Sequence, residues 1–222
     1  MKSEAFCKKS VMTALLLVAF AGLLPWSLMA QTVSPETVKQ YRQMVSMCNG
    51  AQPPSFDACR SQLEQYGFVY NANNAIDIFT VRMHPFYRAE GHDSVGCMLS
   101  VFDGKVYTVG GVFTSLDAGR VFPLVAKASE MQAQLASQLG CTKYVGSVKG
   151  KVKKVATKPE ELRAVLEGVE AEMVSMIYES WKSEDGTRMI TLIYDNDRYG
   201  KKAPKDKDRV KLSLSVGTTP KQ

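Results

Sequence analysis

SVGCMLSVFDGKVYTVGGVF, residues 94 to 113, decides the fold. Asp103-Gly104 sits between two arms rich in β-branched and aromatic residues. Asp-Gly suits a two-residue turn, because both central positions of that turn need positive φ. The stretch therefore predicts an antiparallel hairpin. Gly110-Gly111, near the end of the second arm, predicts a bulge or a close backbone approach. Neither GxGxxG nor GxxxxGK accompanies the glycines, so a nucleotide site has no support.

The same chemistry recurs further on. EMVSMIYESW (172 to 181) and TRMITLIYD (187 to 195) bracket Asp185-Gly186 as a second hairpin. RVKLSLSV (209 to 216) alternates strictly, with Val210, Leu212, Leu214 and Val216 facing one way. AIDIFTVRM (75 to 83) reads as a further strand, and TKYVGSVKGKVKKVAT (142 to 157) as short basic β structure. Between these lie helical patterns. Ser34 caps a first helix with Pro35 and Glu36 behind it, and Val38, Tyr41, Val45 and Cys48 share one face. A second helix follows Ser55 (Phe56, Cys59, Leu63, Tyr66), ending at Gly67. A third spans Ser115 to Leu139, bent near Pro123. A fourth follows Thr157-Lys158-Pro159-Glu160, which matches a capping box.

Helices interspersed with antiparallel hairpins predict an α+β fold, with helices packed on one face of the sheet. The order suggests two α-β-β units in a single domain over 31–222. That domain divides into a helical hairpin, 31–67, and a mixed region, 75–222. Sliding Asp103-Gly104 onto Asp185-Gly186 brings no flanking residues into register, so any repeat is one of architecture.

The first thirty residues read as an address. Lys2, Lys8 and Lys9 precede an apolar run, Val11 to Leu24, broken by Pro25 and followed by Ala30. This is the layout of a cleavable signal peptide over 1–30, which places the mature chain outside the cytoplasm, secreted or periplasmic, with no transmembrane segment after cleavage. Four cysteines then remain: Cys48, Cys59, Cys97 and Cys141. An oxidising compartment favours two disulfides. Cys48 and Cys59 flank one short connection and are expected to staple the helical hairpin, leaving Cys97 to Cys141. No CxxC motif appears, which disfavours disulfide-exchange catalysis.

Charge separates the halves. Counted from residue 31, the chain carries −1 up to residue 142 and +5 from 143 onward. The excess gathers in KGKVKK (149 to 154) and DRYGKKAPKDKDRVK (197 to 211). Lys149, Lys151, Lys153 and Lys154, with the 201–211 lysines, form a candidate anion-binding patch. For an exported chain the matching partner is an envelope protein or anionic envelope polymer rather than nucleic acid. Equally, lysines mixed with Asp206 and Asp208 describe an ordinary solvated loop.

HPFYRAEGHD (84 to 93) holds both histidines. Placed between two predicted strands, it reads first as a polar loop. The alternative takes His84, His92 and Asp93 as metal ligands, with Glu90 as base or fourth ligand, for a metal-assisted hydrolase. The spacing matches no zinc signature such as HExxH. No GxSxG elbow and no cofactor motif appear elsewhere. Tyr178, Trp181 and Tyr194 read as cross-strand packing before they read as a binding platform. The expected function is thus an exported, soluble, non-catalytic binding protein.

Overall fold

The computed structural model describes residues 53–90, 93–205 and 207–218. The expected signal peptide and first helix, Cys48 and His92 lie outside them. The elements in chain order are α1 (Phe56–Gln65), β1 (Val69–Tyr70), β2 (Ile76–Ile78), β3 (Val81–Glu90), β4 (Asp93–Phe102) and β5 (Lys105–Ser115). There follow α2 (Ala118–Val121), α3 (Pro123–Gln138), β6 (Cys141–Gly150), β7 (Lys154–Ala156), α4 (Pro159–Leu166), β8 (Val174–Ser183), β9 (Arg188–Asn196) and β10 (Val210–Thr218). The fold class is α+β.

All ten strands form one antiparallel sheet in the order β1-β3-β4-β5-β10-β9-β8-β6-β7, with β2 also on β3. Both hairpins read from Asp-Gly are present, as β4–β5 and β8–β9. Asp103 takes φ 47° and Gly104 φ 68°, as that turn requires.

Register assigns each side chain to a face. Val210, Leu212 and Leu214 stand opposite Asn196, Tyr194 and Leu192 on one side, and Ser115, Phe113 and Gly111 on the other. This face meets the helices. Cys59 and Leu63 of α1, Val121 of α2, Val125 and Ala128 of α3, and Leu162 of α4 join its residues in one buried cluster. Phe122, where α2 meets α3, stands edge-on to Tyr194 at 5.5 Å. The opposite face carries Ser213 and Ser215 of β10, flanked by Val112 and Gly110 of β5 and by Ile193 and Thr191 of β9.

Counted outward from the β5–β10 seam, the strands run β5, β4, β3, β1 on one side and β10, β9, β8, β6 on the other. Each unit is therefore four principal strands, β1-β3-β4-β5 preceded by α1 and β6-β8-β9-β10 preceded by α2 and α3, with α4 between β7 and β8. The two Asp-Gly turns are not equivalent in this frame. The β4–β5 turn corresponds to the long β9–β10 connection, which is why superposing the turns finds no sequence match.

Three local expectations are corrected. The stretch 75–83 is two strands, because the chain reverses at Phe79-Thr80 with Ile78 opposite Val81 and Phe79 at φ 55°. No glycine or asparagine marks that turn. HPFYRAE is strand rather than loop, lying within β3. Pro85 is tolerated there because its carbonyl accepts from Asn71 N, so its missing N–H points away from β4. In α4, Glu161 rather than Glu160 reaches back to Thr157 N, at 2.9 Å.

The predicted Cys97–Cys141 bridge does not form. Both side chains are buried, on β4 and β6, five strand steps apart. At ~4.8 Å per step that is about 24 Å, against the 7 Å or so that a disulfide can span. Cys59 is buried on α1, and burial pushes its thiol up to about 11. Its expected partner, Cys48, lies outside the described residues.

Candidate functional site

β6 ends in a sharp bend that builds the site. Gly150 takes φ 147°, and a Cβ there would run into the carbonyl oxygen of Met173. Only glycine lets the backbone come this close. Register shifts at this point, with Lys149 opposite Met176 but Gly150 opposite Val174. Lys151 N then donates to Met173 O at 2.9 Å, and the chain returns as β7, with Lys154 opposite Val148 and Val155 opposite Ser147.

This bend opens a groove of about 630 Å³ lined by Ser147, Val148, Lys149, Gly150, Lys153, Lys154, Val155, Ser175 and Tyr199. Three of the four lysines read from KGKVKK are on its wall; Lys151 lies in the bend beside it. All four are exposed. Among the described residues none of them joins an ion pair. Val155, 70 % exposed, adds an apolar lip.

Tyr199 brings the second basic run to the same groove. It sits in the turn after β9, where its N–H donates to Asn196 O at 3.0 Å. Two lysines of that run are ion-paired. Lys201 meets Asp208 at 2.9 Å and Lys211 meets Asp197 at 2.8 Å. Asp208 also accepts from Lys205 N at 2.8 Å, and these bonds, with Lys201 foremost, hold its carboxyl below the usual range. The two basic stretches thus differ. Lys201 and Lys211 are matched by aspartates, whereas Lys149, Lys153 and Lys154 join no ion pair among the described residues, Lys154 lying near enough to Glu161 to help hold its carboxyl below the usual range.

His84 is placed elsewhere and does something different. It points onto the helix-bearing face of β3, 8 % exposed. Its ring lies 4.0 Å from that of Phe56 on α1, and its Nδ1 shares a 2.7 Å hydrogen bond with the Tyr70 hydroxyl. Burial, with Arg82 adding to it, lowers its pKa. Register sets Glu90 opposite Asp93 at the far end of β3, six residues from His84. That is about 20 Å along the strand. The strand therefore separates His84 from Glu90 and Asp93, His92 lies outside the described residues, and among the described residues no group of three His, Cys, Asp or Glu could hold a metal.

One buried acid escaped the sequence reading. Glu179 of β8 is fully buried and accepts from Ser129 Oγ of α3 at 3.0 Å. Burial raises its pKa, opposed by Ser129, Tyr144 and Arg163. Among the described residues its other carboxylate oxygen and both amide atoms of Gln132 make no hydrogen bond, and the Tyr144 hydroxyl lies close enough to the carboxyl to oppose the rise in its pKa. Gly146, opposite Glu179, leaves room for Tyr144 to fold over it; a Cβ there would stand 2.5 Å from the Tyr144 oxygen. Nothing in YESW distinguishes Glu179 from an outward-facing strand residue. Only its parity with Ile177 and Trp181 hints that it points inward.

No described helix is long and apolar enough to cross a membrane. The chain matches no protein-family model, and no curated protein matches its sequence.

Proposed function

We propose that this is an exported, non-catalytic binding protein of the cell envelope, and that it holds an anionic polymer in the groove of Lys149, Lys153 and Lys154. The observation that carries the reading is that these lysines stand on the wall of an open groove and join no ion pair among the described residues, whereas Lys201 and Lys211 are paired with aspartates. Tyr199 and Val155 offer apolar surface beside the charge, and long lysine stems can lie along such surface while the ammonium stays in water. The signal-peptide pattern over 1–30 supports placing it outside the cytoplasm.

The test uses fluorescent dextran sulfate as the anionic probe. A lysine near an anionic surface contributes about 1 kcal/mol. Replacing all three groove lysines by glutamine should therefore weaken binding about a hundredfold. Replacing Lys201 and Lys211 should change it by less than about threefold, since Asp208 and Asp197 already pair with them. Equal losses from both variants would reduce the effect to net charge and defeat the assignment to the groove.

A further inference from the structure

Beside its charge, the lysine groove carries groups that a bare polyanion leaves unused. Ser147 of β6 and Ser175 of β8 line it together with Tyr199. All three residues are half-buried. Among the described residues their hydroxyls make no hydrogen bond, and the Tyr199 ring meets no other ring. Three ammonium groups, three hydroxyls, an aromatic ring and the exposed side chain of Val155 therefore share one groove. Its lining includes no arginine and no residue of a described helix. Two common grips on a phosphate group, a guanidinium fork and a helix N-terminus, are thus absent from the described wall.

We infer that the groove takes an acidic polysaccharide, with one sugar ring lying on Tyr199. This rests on the proposed polyanion binding and gives that polymer its chemical class. A pyranose ring presents C–H groups on its faces and hydroxyls around its rim. The faces match the Tyr199 ring and the Val155 lip, where contact removes apolar surface from water. The rim matches Ser147, Ser175 and the Tyr199 hydroxyl. Each of these both donates and accepts, so a sugar hydroxyl that leaves water finds a partner. The acid groups of the chain match Lys149, Lys153 and Lys154, point charges on flexible stems that follow an anion without fixing its geometry. A polyphosphate would use the lysines but has no apolar face to lay on the ring. Size agrees. A groove of about 630 Å³ falls in the range of roughly 300–1,000 Å³ that suits small ligands, and so admits a short stretch of a chain rather than a folded partner.

The full chain tests this with two probes of equal charge number, dextran sulfate and inorganic polyphosphate, titrated at one low ionic strength. Tyr199→Ala should weaken dextran sulfate binding about tenfold and polyphosphate binding less than about twofold, because a contact tyrosine is lost only where the ligand covers it. Tyr199→Phe keeps the ring and should hold dextran sulfate within about threefold of the unsubstituted protein. Ser147→Ala with Ser175→Ala leaves Tyr199 in place and should show the same preference for loss on the sugar probe. That pair decides the matter if Tyr199→Ala lowers the urea unfolding midpoint. Losses as large for polyphosphate as for dextran sulfate, or no loss for either, would overturn the sugar assignment. Binding that still depends on Lys149, Lys153 and Lys154 would then leave the polyanion groove standing. Failure of both probes to bind at low salt would overturn the two together.

Discussion

Tyr70 faces Phe86 across β1 and β3, and Tyr144 faces Trp181 across β6 and β8, at matching places on either side of the β5–β10 seam. Ring centroids are 5.0 Å apart in the first pair and 4.8 Å in the second. Two residues before each strand aromatic, on the same face, stands a buried titratable group: His84 in one unit, Glu179 in the other. Tyr70 bonds to His84 at 2.7 Å, while Tyr144 lies close enough to Glu179 to oppose the rise in its pKa. The two units thus share an arrangement in which a tyrosine from the next strand outward leans over an inward-facing polar residue, and a helix covers both.

His84 is accordingly a packing residue. His84→Ala removes its contact with Phe56 and leaves the Tyr70 hydroxyl without its partner, and should destabilise the fold by about 1–3 kcal/mol in urea unfolding. An effect below about 0.5 kcal/mol would return the residue to the surface, where substitutions are usually neutral. The pH dependence follows from its lowered pKa. A base that resists protonation in the folded state contributes fully above its unfolded pKa of about 6.5. Stability is lost as pH falls from there through the folded value. His84→Phe, which cannot titrate, should lose less stability than the unsubstituted chain between about pH 7 and about pH 5.

Glu179 titrates the other way. Its carboxyl is held above the usual range by burial, so the folded chain binds that proton more tightly than the unfolded chain does. Stability from this group is greatest at low pH and falls as pH rises past the unfolded value. Glu179→Gln keeps an acceptor for Ser129 and removes the titration. Guanidinium unfolding at about pH 5 and about pH 8 should therefore show a smaller loss with rising pH for the variant than for the unsubstituted protein. Parallel losses would mean that Glu179 stays ionised throughout.

Gly150 shapes the groove through backbone alone. Gly150→Ala must either leave φ 147° or push Met173 aside, at a cost of about 1–3 kcal/mol. Because Lys149 and Lys153 flank the bend, polyanion binding should weaken in the same variant. Gly168→Ala, where a Cβ would meet nothing within 4 Å, is the control and should leave binding unchanged.

Strands with strict alternation or an Asp-Gly turn were legible because their signals are local: β4, β5, β9 and β10 all follow the sequence closely. β3 was not, since Pro85 and a run of charges mask the alternation of His84, Phe86 and Arg88. Its identity as a strand depends on β1 and β2 leaving a gap opposite Pro85, which is tertiary information. The same holds for the cysteines. Elimination paired Cys97 with Cys141, but the sheet order that parts them is set by the β5–β10 seam, which joins residues roughly a hundred positions apart. For the groove, KGKVKK identified the lysines, yet only the fold shows that three of them share a wall with Tyr199 while Lys201 and Lys211 are paired with aspartates.

The measurement that bears most directly on the anionic-polymer reading is the salt dependence of dextran sulfate binding by the unsubstituted protein and by the Lys149→Gln, Lys153→Gln, Lys154→Gln variant. Between about 50 mM and about 500 mM salt, screening of exposed charges becomes severe. The unsubstituted protein should lose affinity steeply across that range, and the variant should bind weakly with a much shallower dependence. Binding that is insensitive to salt, or equally steep in both proteins, would contradict the account.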